Sequence, residues 1–192
     1  PEPGEDERSQ IWGFDPGGRE ARRLSDGALG VNDFRFAGAR LLVWTRHWPD
    51  VPDTEQRAHA AKRAKDGPSV LHYRQTPVRH WDHWLGPDRA QLLCIHPSGA
   101  QFDLTEGTTH EHERDVSWDV STDGRFVAMN AEEKAEDGVA RSWLRRIAIR
   151  ADGSPERIED LGRAGNVSHY GAKLSPSGAS LATQRHTRSG PD

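Results

Sequence analysis

The sequence predicts an all-β chain, a partial β-propeller of four-stranded antiparallel blades with one short helical insertion, and two interleaved repeats lead to that fold. The first repeat is a polar turn with glycine followed by an apolar strand: "FRFAGARLLVWT" (34–45), "DVSTDGRFVAMN" (119–130) and "KLSPSGASLATQ" (173–184). Aligning Gly38, Gly124 and Gly178 brings the pairs Leu41/Val43, Val127/Met129 and Leu181/Thr183 into register. Glycine accepts positive φ and aspartate bonds its own backbone, so each copy reads as strand, turn, strand. The second repeat is "IWGFDPGGREARRLSDG" (11–27), "LLCIHPSGAQFDLTEG" (92–107) and "RRIAIRADGSPERIEDLG" (145–162). An apolar strand, a turn of "PGG", "PSG" or "DG" and a polar strand make each of these a second hairpin. Two hairpins per cycle is the make-up of a propeller blade.

The step from Gly124 to Gly178 is close to the roughly 40–50 residues of known blade families. The step from Gly38 to Gly124 is longer by about 30, which locates an insertion between the second and third strands of that blade. The expected organisation is an outer half-blade (1–27), a blade (28–107) with its insertion at 48–88, a second blade (108–162) and an inner half-blade (163–192). Closed propellers hold roughly four to eight blades, so by this count the chain is a piece of something larger. Half-blades leave strand edges and sheet faces open, which predicts marginal stability and association.

Within the insertion, residues 54–66 carry Ala58, Ala61 and Ala64 among charged residues, which predicts a short surface helix. Asp53 or Thr54 suits its N-cap, and Gly67-Pro68 its stop. Trp12, Trp44, Trp118 and Trp143 fall in or beside strands and are assigned to the core.

Net charge is −4 with basic residues dispersed among acidic ones, so no positive stripe is present to hold a nucleic acid. Apolar runs such as "ARLLVWT" fall far short of the about 18 residues of a membrane helix. The single cysteine, Cys94, excludes an intrachain disulfide, reads as a buried small hydrophobe and leaves the cytoplasm favoured. "PEPGEDERSQ" lacks the charged-then-apolar pattern of a signal peptide.

The "S-x-D-G" strand pairs, the "D-G-x-P-x-R-I" outer hairpin, and "TRHWPD" followed by an Ala/Lys/Arg-rich helix and "PVRHWDHW" together resemble a known family. It is the N-terminal β-propeller of prolyl oligopeptidase family serine peptidases, in the acylaminoacyl-peptidase and dipeptidyl-peptidase branch. The first repeat departs with "RFAG", and the last has "SPSG" without the aspartate. The resemblance implies a peptide substrate, a C-terminal α/β-hydrolase domain with a Ser, Asp, His triad as partner, no cofactor, and a propeller that restricts access to the catalytic cavity. No G-x-S-x-G elbow occurs here; "SGAS" around Ser180 lacks the second glycine, and Ser154 follows a hairpin glycine. No catalytic residue is therefore assigned, and the fragment alone is expected to be inactive. A non-enzymatic propeller acting as a protein-binding scaffold is the competing reading.

"VRHWDHW" admits four roles. Catalysis would couple His80 and Asp82 but lacks a nucleophile, and a zinc site would crowd His80, Asp82 and His83. A structural corner buries Trp81 and Trp84 while Arg79 and Asp82 pair. A lip follows from the resemblance: second-to-third strand connections share a face with the connections between blades, and in that family this face abuts the hydrolase domain. Arg79, His80 and Asp82 would then line a substrate or interdomain lip, with Trp81, Trp84, Gly38, Gly124 and Gly178 as structural residues; corner and lip remain open together. In "EGTTHEHERDVS" (106–117), Glu111 and Glu113 project to one side and His110 and His112 to the other if the segment is extended. The resemblance implies that these two acids bind a peptide α-amino group; the alternative is a solvated charged loop. A His-x-His metal pair there is weaker without further ligands, and no metal site is assigned.

Overall fold

In the computed structural model, residues 8–67, 79–80, 83–84, 88–106, 117–134, 140–163 and 166–187 are described, with the backbone alone at 79, 80, 83, 84, 133, 134 and 140. The elements are β1 (Trp12–Phe14), β2 (Ala21–Arg23), β3 (Val31–Ala37), β4 (Arg40–His47), α1 (Gln56–Asp66), β5 (Arg79–His80), β6 (His83–Trp84), β7 (Arg89–Ile95), β8 (Gln101–Asp103), β9 (Trp118–Val120), β10 (Phe126–Lys134), β11 (Ala140–Ile149), β12 (Pro155–Leu161), β13 (Val167–Leu174) and β14 (Leu181–Thr187). The expected mostly-β chain with one short helix is found, and no helix among the described residues is long and apolar enough to cross a membrane. The chain divides into two compact units, Pro1–Val31 with Arg46–Arg89, and Asn32–Thr45 with Ala90–Asp192.

In the first unit β1 and β2 pair antiparallel, with Trp12 opposite Arg23 and Phe14 opposite Ala21. The turn closes by Gly18 N–H donating to Asp15 O at 2.7 Å, with Gly18 at φ +64°. Trp12 corrects the core assignment: it is 51% exposed, and Phe14 is 68% exposed. Alternation explains this, because Leu24 fills the face of Gly13, with its Cδ1 2.9 Å from where a Cβ would stand, and turns the flanking aromatics outward.

Helix α1 also departs from expectation at its start. A 3-10 turn, Asp53–Glu55, precedes it, Glu55 N–H donates to Pro52 O at 2.8 Å, and Glu55 takes the cap position without a side-chain bond. Winding begins before Asp53 or Thr54 can cap. Ala58, Ala61 and Ala64 face solvent, whereas Gln56 and Ala60 are buried. Gln56 is bonded to the backbone that follows β4: its Oε1 accepts from Trp48 N–H (2.9 Å), and its Nε2 donates to Trp48 O (2.8 Å) and Val51 O (2.7 Å). The His59 ring meets Trp48 edge-on at 4.6 Å. Gly67 ends the helix as expected, at φ +61° with its N–H on Arg63 O; Pro68 lies outside the described residues.

The second unit holds two four-stranded antiparallel sheets, ordered β3-β4-β7-β8 and β12-β11-β10-β9, and the hairpin β13-β14. Between the two sheets Leu42, Trp44, Leu92 and Leu104 meet Trp118, Val127, Met129 and Ile147 in one buried cluster. On the other face of β10 and β11, Ala128 and Leu144 pack against Ala172 of β13, with Leu174 and Leu181 beside them. Sheet two is thus apolar on both faces, which is why "FVAM" reads as a continuous run rather than an alternation. Trp44, Trp118 and Trp143 are buried as expected, and so is Cys94.

Two first-to-second strand turns share one geometry. In the second sheet Gly124 N–H donates to Ser121 O (2.8 Å) and Ser121 N–H to Phe126 O (3.0 Å); in the hairpin Gly178 N–H donates to Ser175 O (2.8 Å) and Ser175 N–H to Ser180 O (2.9 Å). "SPSG" keeps the geometry of "STDG" because Ser175 Oγ accepts from Ser180 N–H at 3.0 Å, as Ser121 Oγ does from Phe126 N–H. The first sheet differs, since β3 runs through Ala37 and only Gly38 and Ala39 separate it from β4.

Gly124 and Gly178, at φ +69° and +72°, also set how closely neighbours approach. A Cβ on Gly124 would lie 2.5 Å from the Ala37 carbonyl carbon, and one on Gly178 would lie 2.5 Å from the Phe126 ring. Arginines clamp the same turns: Arg40 Nη2 donates to Gly124 O (2.8 Å), and Arg146 Nη2 donates to Gly178 O (3.1 Å). Gly153, in the turn after β11, rests on the first sheet as well, a Cβ there falling 3.0 Å from Cys94 Sγ.

Gly124→Ala is expected to cost at least about 2 kcal/mol, from αL strain plus the clash with backbone. Gly38→Ala, with φ +65° and nothing within 4 Å of its Cβ, should lose about 1 kcal/mol from strain alone. Urea midpoints check the order; equal losses would show that close approach is not what Gly124 provides. Asp123 is held down to about 2 from the ordinary 3.8 by the Ser121 hydroxyl, then by the Arg125 N–H and the Arg125 side chain. Because the folded value is depressed, this contribution is present above pH about 4 and is lost as pH falls through about 2. Asp123→Asn should flatten stability against pH in that window, read as urea midpoints across it.

Candidate functional site

Arg79 pairs with Trp84 and His80 with His83 across the antiparallel strands β5 and β6. Trp81, Asp82, Glu111 and Glu113 lie outside the described residues, as do His110 and His112; at Arg79, His80, His83 and Trp84 the backbone alone is described. The backbone pairing brings Arg79 and Trp84 into cross-strand register.

Antiparallel order determines the ends from which these segments depart. In each four-stranded sheet the first-to-second and third-to-fourth turns (38–39 and 96–100; 121–125 and 150–154) lie at one end. The second-to-third connections, 48–88 and 135–139, and the 104–117 link between the sheets leave from the opposite end. Within its own sheet, therefore, each segment that carries predicted site residues departs from the end away from the glycine turns.

The most developed polar arrangement among the described residues lies on the first strands of the second unit. Trp118 Nε1 donates to Asp33 Oδ2 (2.7 Å), Arg35 Nη1 donates to Asp119 Oδ1 (3.0 Å), and Leu174 N–H donates to Asp119 Oδ2 (2.9 Å). The Arg35 guanidinium lies 4.7 Å from the centroid of the Trp118 ring. β3, β9 and β13 are thereby tied in sequence by carboxylates. Asp33 and Asp119 each stand five residues before an aligned glycine, and Lys173 holds that position in the third copy. The signal is present in the repeat, since Asp33 immediately precedes the copy that starts at Phe34.

This arrangement can recognise and brace, and it contains no activated nucleophile. Ser154 Oγ donates to Asp152 Oδ1 (2.7 Å) in an exposed turn, and Ser180 closes the β13–β14 turn. Burial pushes the Cys94 thiol above its ordinary value, opposed by Arg40 and reinforced by Asp152, which disfavours a thiolate. Among the described residues no three His, Cys, Asp or Glu side chains converge as metal ligands. A second brace joins outer strands: Arg145 grips Asp160 with Nε and Nη2 at 2.8 and 3.0 Å.

No family model matches the sequence, and no curated protein matches it.

Asp119→Ala removes the acceptor of the Leu174 N–H and the 3.0 Å partner of Arg35, which keeps its 3.8 Å contact to Asp33, and is expected to cost about 1–3 kcal/mol. Arg35→Ala should cost less in that background than in the wild type, a coupling of about 0.5–1 kcal/mol in urea unfolding. Strict additivity would separate Arg35 from the brace.

Proposed function

We propose that the chain is part of a β-propeller that gates substrate access in a serine peptidase of the prolyl oligopeptidase family, acylaminoacyl- or dipeptidyl-peptidase-like. The observation that carries the propeller is the repeated step between neighbours. First sheet to second, and second sheet to hairpin, both use a positive-φ glycine pressed on the preceding neighbour, an arginine on that glycine's carbonyl, and an aspartate on the following first strand. A four-stranded antiparallel meander repeated with one stacking contact is how propellers are built.

The peptidase reading is supported by the resemblance carried in "VRHWDHW" and by where that segment sits, in the connection between the second and third strands of its sheet. With no G-x-S-x-G in these residues, the nucleophile belongs to a hydrolase domain outside them. The propeller's role is then steric. A rigid ring of sheets admits short peptides and excludes folded proteins, while Arg79, His80 and Asp82, with Glu111 and Glu113, offer charge to a peptide terminus or to the domain interface. The cytoplasm is the proposed compartment, in keeping with the lone buried Cys94. One observation favours a protein-binding scaffold instead: Phe34 and Phe36 of β3 are 46% and 61% exposed, which is apolar surface suited to a partner.

A fluorophosphonate active-serine probe applied to the parent polypeptide, beside the 192-residue chain, tests the proposal. Labelling of the parent alone is expected. Labelling of neither would favour the scaffold, and labelling of the 192-residue chain would overturn the assignment of the nucleophile.

A further inference from the structure

The strand that closes each copy of the second repeat is short in two copies and long in the third. β2 (Ala21–Arg23) and β8 (Gln101–Asp103) have three residues each, whereas β12 (Pro155–Leu161) has seven. β12 is the outer strand of a complete four-stranded sheet, and among the described residues no strand pairs with its far side. Propellers keep such edges short and protected, and a long edge with exposed apolar residues invites strand pairing. Ile158 and Leu161 on β12 are 40% and 39% exposed. We infer that β12 is a self-association edge: two copies of the chain join their β12 strands antiparallel about a two-fold axis at Ile158, making one eight-stranded sheet from two four-stranded ones.

The hydrogen bonds inside the sheet fix which residues of β12 face outward. Ile149 N–H donates to Arg125 O, beside β10, at 2.8 Å, so alternation along β11 turns the backbone groups of Ala148, Arg146 and Leu144 toward β12. Their partners Arg157, Glu159 and Leu161 point inward, which leaves Ile158 and Asp160 with N–H and C=O directed at the free edge. That edge is bounded at both ends. Pro155 has no N–H, and the register shift between Ala148 and Ile149 interrupts the ladder before Arg157. Gly162, at φ +70°, turns the chain after Leu161.

Within residues 157–161, charge decides where the two-fold sits. A centre at Arg157, Glu159 or Asp160 sets like charges directly opposite, and one at Leu161 carries the pairing through Gly162, out of the strand. A centre at Ile158 sets Ile158 against its own copy in a hydrogen-bonded pair, and sets Arg157 against Glu159 of the second copy on either side of it. Arg157 Nη2 meets Glu159 Oε1 of its own strand at 2.6 Å, so the two charges already share one face of the sheet. Arg-Ile-Glu is thus its own complement when paired antiparallel, which favours a second copy over an unrelated strand. The junction uses an edge inside the second unit, so it depends neither on the peptidase reading nor on what adjoins the chain at either terminus.

The contact is short, as weak and transient ones are, so mass is followed by sedimentation over a concentration series. The unsubstituted chain is expected to show an equilibrium of monomer and dimer. Arg157→Glu chains and Glu159→Arg chains each place like charges at both pairs and should dimerise about tenfold more weakly, whereas mixing the two restores opposite charges and should restore the dimer. Ile158→Cys chains should cross-link to one another under mild oxidation, since the opposed Cα atoms stand about 5.5 Å apart, within disulfide reach. Leu161→Cys chains should not, because the two copies of that residue lie about 20 Å apart along the strands. A chain that stays monomeric overturns the inference. So does a dimer or larger species that forms without the Ile158→Cys cross-link and is indifferent to the charge at residue 157, since the contact then lies elsewhere.

Discussion

Backbone-to-backbone approach at a glycine is the contact on which the rest of the second unit depends. Gly124 lies so close to Ala37 that a single added carbon would overlap the peptide. That proximity lets Arg40 reach the Gly124 carbonyl and, with its other nitrogen, the Arg150 carbonyl at 2.6 Å, closing both turns of the second sheet onto the first. With the turn ends held, the apolar faces behind them meet, and Trp44 and Trp118 are buried from solvent. Gly178 and Arg146 do the same one step later, with the guanidinium also 4.0 Å from the centroid of the Phe126 ring. The stacking unit is therefore a turn and an arginine, and the hydrophobic cluster follows from it.

The opposite ends of the sheets are built differently. There two longer connections, 48–88 and 104–117, leave the first sheet, and the predicted functional residues fall within them. A scaffold stiff at one end and elaborated at the other is the usual way to present binding loops, because sheet packing fixes where each loop begins and ends. The aspartate brace along β3, β9 and β13 adds to this rigidity: Asp119 holds both Arg35 and the Leu174 amide, so neighbouring first strands cannot slide independently. In the proposed peptidase, a gate of this kind needs such stiffness, since its selectivity comes from the size of an opening.

How much of this was legible in the sequence differs from residue to residue. The hairpins were legible because glycine at the turn and alternation in the strand are local signals. Trp12 was not, because its face depends on Leu24 filling the place beside Gly13, a contact that no spacing encodes. Helix α1 was found from its alanines, yet it is anchored through Gln56, a polar residue that earns burial by bonding the backbone of Trp48. Asp33 and Asp119 occupy one repeat position, but their pairing joins residues far apart in the chain and becomes visible only once the sheets are stacked. The proposed lip residues Arg79, His80, Asp82, Glu111 and Glu113 stand on chemistry and resemblance.

Two amides report on the central claim directly. Thr122 N–H donates to Pro176 O (3.0 Å) and Leu174 N–H to the Asp119 carboxylate, and both bonds exist only if the second sheet and the β13–β14 hairpin are stacked as described. Hydrogen exchange at these two positions, followed by NMR, is the measurement to make. The account predicts that both exchange slowly and together with core amides such as that of Met129. Exchange at the rate of an unstructured peptide at Thr122 and Leu174, with Met129 still protected, would contradict it.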